Sequence, residues 1–260
     1  MPKIAVAGKG GVGKTTFSGI LARVLAAAGH KVYAIDADPN PTLGQALGFP
    51  PELLAKVTPI AQMSDLIEER TGARPGESGA YFRLNPRVDD IPARFSVEYQ
   101  GVHLLEMGTV RGAGAGCVCP ENTVLRALVT HLLLRERETV LLDMVAGVEH
   151  LGRGTAAAVD AMFTVVEPGL RSLAVAAEVA RLAHDLGVPA VWTVANKVRD
   201  ENDLAFIRGR LEDGPPLVGW LPRDDHVVEA DMRGVSLYEA APELAQRVEA
   251  IARETGLLGQ

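Results

Sequence analysis

The chain has 260 residues, 47% hydrophobic and 23% charged, with a formal net charge of −7 at pH 7. That length suits one well-buried domain and is short for two, and the composition is that of an ordinary soluble globular protein. The negative balance supplies no long-range attraction to nucleic acid or to an anionic membrane, so neither is expected as a partner. No apolar run reaches transmembrane length, and Met1-Pro2-Lys3 leads straight into a strand rather than a leader. The two cysteines, Cys117 and Cys119, sit too close together for a structural disulfide, so a cytoplasmic setting is expected.

The first apolar run, 4–7, is short and ends at glycine, as a buried parallel strand does. Gly8-Lys9-Gly10-Gly11-Val12-Gly13-Lys14-Thr15-Thr16 follows and fits the phosphate-loop pattern G-x-x-x-x-G-K-[ST]. The glycines let consecutive N–H groups turn inward toward phosphate oxygens, and the helix after the loop adds its positive end. Lys14 is expected to neutralise the β- and γ-phosphates of a nucleotide, and the Thr15 hydroxyl suits Mg²⁺. Phe17, Ile20, Leu21, Val24 and Leu25 recur at helical spacing, and Gly29 ends that helix. A second strand, 31–35, runs into Asp36-Ala37-Asp38. Carboxylates at a strand's C-terminal end lie at the mouth of such a sheet, where ligands bind.

The stretch 71–100 is rich in Gly, Pro and charge and reads as an irregular insertion or surface segment. Strands are expected at 102–107, 139–143, 161–166, 190–195 and 217–221, with helices at 122–134, 170–186, 202–211 and 242–255. The alternation predicts an α/β fold: a doubly wound, mostly parallel sheet with helices on both faces, over the single domain 1–260. The helix at 242–255 is amphipathic without a basic face, so it is expected to pack on the sheet edge rather than on a membrane. Asn196 and Lys197 close the 190–195 strand, and Asn196 suits either a helix cap or a ligand contact.

Cys117-Val118-Cys119-Pro120 follows a glycine-rich run, 112–116. The glycines free the backbone to bring both sulfurs to one side, and Pro120 suits the first turn of a helix. Thiolates at a helix N-terminus are favoured by its dipole and can bind a soft or borderline metal. Two sulfurs do not fill a tetrahedral or square-planar shell, so a metal site shared by two protomers is one reading and an unliganded or redox-active pair the other.

The second lysine of the loop, Lys9, resembles that of the deviant Walker A P-loop ATPases, which include the Min and Par positioning ATPases and the nitrogenase iron protein. The resemblance implies a homodimer in which Lys9 reaches the partner's nucleotide, as an arginine finger does. It implies that Asp38 orients the attacking water and reaches Mg²⁺ through water, so that Lys9, Lys14 and Asp38 form the catalytic set. Asp36 either holds Mg²⁺ through water or supports the loop. Asp143 resembles a Walker B strand end near Mg²⁺, and Gly147 a switch II glycine facing the γ-phosphate. Asn196, Lys197 and Pro222, with Arg223, resemble the elements around the adenine.

The segment 143–155, the segment 82–92, the cysteine pair and the run 229–234 together resemble the carbon monoxide dehydrogenase accessory ATPases, the CooC-type nickel-insertion proteins, over essentially the whole chain. That resemblance implies an ATP hydrolase that binds Ni²⁺ or Zn²⁺ through the cysteine pairs and serves carbon monoxide dehydrogenase as its client. Val145 stands where an acidic residue is expected, and Ala146 where the nitrogenase iron protein would carry its second cysteine. An electron-transfer ATPase of that kind and a Min/Par-type positioning ATPase are the alternatives. Glu149 and His150 are read as surface or switch residues rather than metal ligands.

Overall fold

The computed structural model describes residues 2–38, 40–74, 81, 83–108, 123–124, 127–128, 138–144, 159–211 and 214–259. Its frame is an eight-stranded sheet in the order β3-β4-β2-β5-β1-β6-β7-β8. The strands are β1 (Lys3–Gly8), β2 (Lys31–Asp36), β3 (Val97–Tyr99), β4 (Val102–Glu106), β5 (Glu138–Asp143), β6 (Ala161–Val166), β7 (Ala190–Val198) and β8 (Leu217–Pro222). Every neighbouring pair is parallel except β3 with β4, which is an antiparallel edge pair. The expected class, a doubly wound α/β sheet, is therefore the observed one.

Alternation along the central strands divides the core. Ile4 and Val6 of β1, with Val32 and Ala34 of β2, face one layer, while Ala5, Ala7, Tyr33 and Ile35 face the other. The first layer is covered by α1 (Lys14–Ala27) and by α10 (Pro242–Glu254). Phe17, Ile20, Leu21 and Leu25 of α1 are fully buried, each contributing about 1.5–3 kcal/mol against exposure. Phe17 meets Phe163 of β6 edge-on with ring centroids 5.1 Å apart, which fixes α1, and the loop before it, over the sheet's centre. Helix α10 buries Leu244, Val248 and Ile251 against α1 and β8, so its apolar face belongs to the core at the sheet edge, as expected from its lack of a basic face.

The second layer carries α4 (Ser64–Thr71), α5 (Ile91–Phe95) and α6 (Leu170–Asp185). Short helices α2 (Leu43–Ala46) and α3 (Pro51–Leu54) follow β2, and α7 (Glu201–Arg208), α8 (His226–Arg233) and α9 (Leu237–Ala240) complete the C-terminal half. Thr123, Val124, Ala127 and Leu128 of the expected helix 122–134 are helical and buried in the second layer.

The stretch 71–100 departs from its reading as a surface insertion. It supplies α5 and the edge strand β3, and Val88, Ile91 and Pro92 are buried. Its Pro, Gly and charge content hid two short elements whose lengths, five and three residues, are below what periodicity resolves.

Candidate nucleotide site

The C-terminal ends of the parallel strands share one edge of the sheet, and the loop between β1 and α1 lies at the middle of that edge. Gly11 and Gly13 adopt φ of +79° and +95°, where an L side chain is strained. A Cβ at Gly13 would also collide with the Asn196 amide nitrogen. Gly13 caps α1 without a side-chain bond, and the first turn holds no acidic residue. The helix dipole and the first N–H groups therefore remain available to an anion.

Lys14 is buried, and its Nζ donates to the Lys9 carbonyl at 3.3 Å. Burial holds its pKa below the usual lysine value, opposed by the charges of Asp143 and Asp38. A cation desolvated in this way gains from an arriving phosphate.

Three carboxylates stand side by side on the β4-β2-β5 half of the edge. Asp36 pairs in register with Glu106 on one side and with Asp143 on the other. Asp143 accepts from Thr15 Oγ1 at 2.7 Å and from Ser18 Oγ at 2.9 Å. Burial pushes its pKa up to about 6, eased by the Thr15 hydroxyl and raised further by Asp36. Thr15 spends its proton on Asp143, so its lone pairs remain for a cation. Buried carboxyls with raised pKa beside that hydroxyl suit Mg²⁺, which takes a few protein oxygens plus phosphate and water rather than an all-protein cage. No group of three or more His, Cys, Asp or Glu that could hold a metal ion is found among the described residues.

Asp36 turns back on its own loop. Its Oδ1 accepts from the Asp38 amide at 3.0 Å, and its Oδ2 accepts from the Thr42 and Leu43 amides at 2.8 Å each. Burial raises its pKa, and those three amides oppose the shift. Its geometry is that of loop support. The strand ends at Asp36, so Asp38 leaves the strand direction, and its Oδ1 accepts from the Asn40 amide at 2.9 Å.

The β6-β7-β8 half is different in kind. Asn196 Nδ2 donates to the Val12 carbonyl at 2.7 Å, and its Oδ1 accepts from the Lys197 amide at 2.9 Å. The helix-cap reading of Asn196 is corrected, because Asp200 caps α7 by accepting from the Asp203 amide. Lys197 has φ +57° at a break in the β7–β8 register, and its Nζ donates to the Gly11 carbonyl. Glu167, directly after β6, pairs with Lys197 at 3.1 Å and with Lys9 at 3.5 Å. Beside this clamp opens a cavity of about 550 Å³ lined by Gly13, Thr16, Asn196, Lys197, Pro222 and Arg223. It is roomy enough for a nucleoside.

The structure thus gathers Gly8 to Thr16, Asp36, Asp38, Asp143, Asn196, Lys197 and Pro222 along one edge. Cys117, Cys119, Gly147, Val145, Glu149 and His150 lie outside the described residues. Sequence reasoning missed Glu167 and Ser18. Both carried a signal: Glu167 follows a strand that was placed, and Ser18 lies one helical turn beyond Thr15.

These features define a P-loop nucleotide-binding domain, and residues 3–237 match the model of the CobQ/CobB/MinD/ParA nucleotide binding domain. The chain belongs to that family. It is 49% identical to the carbon monoxide dehydrogenase accessory protein CooC of Rhodospirillum rubrum over 96% of this chain and 94% of that protein. It is 42% identical to an uncharacterised ATP-binding protein of Methanocaldococcus jannaschii over 89% of each. Among solved structures, the septum site-determining protein MinD of Pyrococcus horikoshii, complexed with Mg-ADP, matches with a TM-score of 0.66 and 19% identity, over 98% of this chain and 96% of that one. At that identity the likeness is one of fold.

Proposed function

We propose that this chain is an ATP-hydrolysing maturation factor of the carbon monoxide dehydrogenase accessory type, working in the cytoplasm as a homodimer. The observation that carries the reading is the 49% identity to CooC over nearly the full length of both chains. The phosphate loop and the acids around it support ATP as the nucleotide. Thr15, with Asp143 behind it and Asp38 acting through water, would hold Mg²⁺, and the ion would offset charge on the phosphates.

In this reading the amides of the loop and the start of α1 bind the phosphates, and Lys14 neutralises them. Gly147 donates its N–H to the γ-phosphate. Lys9 reaches the partner's nucleotide and stabilises charge on the transferring phosphoryl. The Asp38 carboxylate, braced by the Asn40 amide, orients the attacking water. Adenine occupies the cavity by Asn196, Lys197 and Pro222. Cys117 and Cys119 of two protomers hold Ni²⁺ or Zn²⁺ as cargo for the nickel centre of carbon monoxide dehydrogenase.

The test is metal binding to the dimer in the presence of a non-hydrolysable ATP analogue. Wild type is expected to bind one Ni²⁺ per two chains, and the double variant Cys117→Ala/Cys119→Ala none. Equal binding by that variant overturns the cysteine site. For the catalytic half, Asp38→Ala is expected to bind ATP and to turn it over roughly 100-fold more slowly; normal turnover would remove Asp38 from its role.

A further inference from the structure

Glu167 shares one carboxylate between two lysines of different standing. Its Oε2 meets Lys197 at 3.1 Å and its Oε1 meets Lys9 at 3.5 Å. Lys197 is anchored, since its Nζ also donates to the Gly11 carbonyl and its backbone sits at φ +57°. Glu167 is anchored too: its backbone amide donates to the buried Ser172 Oγ at 3.0 Å, at the start of α6. Lys9 is the loose member. Its side chain is 37% exposed, and its other bond, to the Gly10 carbonyl, is long at 3.4 Å.

We infer that Glu167 is a resting-state latch, a positioning residue that holds Lys9 within its own protomer and must release it before the nucleotide-bound dimer closes. The inference rests on the proposed reading of Lys9 as a cation that acts across the dimer. A side chain paired in cis is not available in trans. Release leaves Glu167 still paired with Lys197, so no carboxylate is stranded and the latch is weak by design of its charges. A half-exposed pair of this kind contributes at most about 1 kcal/mol and is screened by salt. It therefore tunes the dimer threshold and does not lock it.

The experiment measures the dimer dissociation constant by sedimentation, with Mg²⁺, a saturating non-hydrolysable ATP analogue and no nickel or zinc. Wild type, Glu167→Gln and Lys9→Ala are compared at low and high ionic strength. At low salt Glu167→Gln is expected to dimerise about tenfold more tightly, roughly threefold for each of the two lysines freed. That gap is expected to close at high salt. An unchanged or weaker dimer at low salt overturns the latch, as does a gap that salt leaves intact. Lys9→Ala separates the two ideas. If it loses the dimer while Glu167→Gln behaves as wild type, the latch alone fails. If Lys9→Ala dimerises as wild type, the trans reading of Lys9 fails, and the latch with it.

Discussion

The two halves of the sheet edge meet the same loop with opposite chemistry. On the β4-β2-β5 side the strands end in Glu106, Asp36 and Asp143, three acids in register. On the β6-β7-β8 side the strand ends supply Glu167, Asn196 and Lys197, which bond to the loop's carbonyls and to its first lysine. The acidic half is charged against itself: burial raises the pKa of Asp36, Asp143 and Glu106, and the charge of Asp36 raises those of Asp143 and Glu106 further. The other half is neutralised within itself. The first side suits a cation, and the second supports the phosphate loop. From the acidic half also depart the segments beyond Gly108 and Met144 that carry the cysteine pair and Gly147.

Gly13 is where the comparison breaks most sharply, because it touches the support half directly. Gly13→Ala forces an L residue to φ +95° and drives a methyl group into the Asn196 amide. The backbone strain and the overpacking together are expected to cost about 3–4 kcal/mol of stability. Thermal unfolding of the nucleotide-free protein reads this, alongside loss of ATP binding. A wild-type melting temperature would show that the Gly13–Asn196 approach is not kept in solution.

The second prediction acts on the acidic half. Asp36→Asn removes one of the two oxygens that accept three loop amides. It also relieves repulsion with Asp143, so the global loss is expected to be modest. The local loss is larger: an amide left without an acceptor costs about 1–3 kcal/mol, so exchange of the Thr42 and Leu43 amides is expected to quicken about tenfold or more. Unaltered exchange protection at those two positions would mean that the 38–43 loop is held by something other than Asp36.

How far the sequence disclosed these two halves differs. The loop and the strand ends were legible, since a phosphate loop has a fixed spacing and buried parallel strands are continuous apolar runs. Asp36 and Asp143 were legible as site residues by their place at strand ends. What Asp36 bonds to was not, because the partner amides belong to a loop whose path the chain does not encode by periodicity. The residues 71–100 were misread for the same reason, since Val88 and Ile91 are single buried anchors in a polar stretch. The support half was least legible. Lys197 at positive φ and Glu167 between two lysines arise from the β7–β8 register break and from strand neighbours far apart in sequence.

Asn196 gives the mildest of the three tests and the most specific one. Its amide joins Val12 of the loop to the backbone of Lys197, 184 residues apart in the case of Val12. Asn196→Ala removes both bonds and leaves a small space beside Gly13, which has no strain of its own to add. The net loss is expected to be about 1 kcal/mol in stability, with nucleotide affinity reduced about fivefold because the loop is less well organised before it binds. The same change in the Gly13→Ala background should be favourable, since the amide that the new methyl group strikes is gone. The two substitutions are then non-additive, with the double variant more stable than Gly13→Ala alone. Thermal unfolding of all four proteins measures the coupling. Simple additivity would show that the loop and the end of β7 are independent, and that half of the site would lose its claim to support the loop.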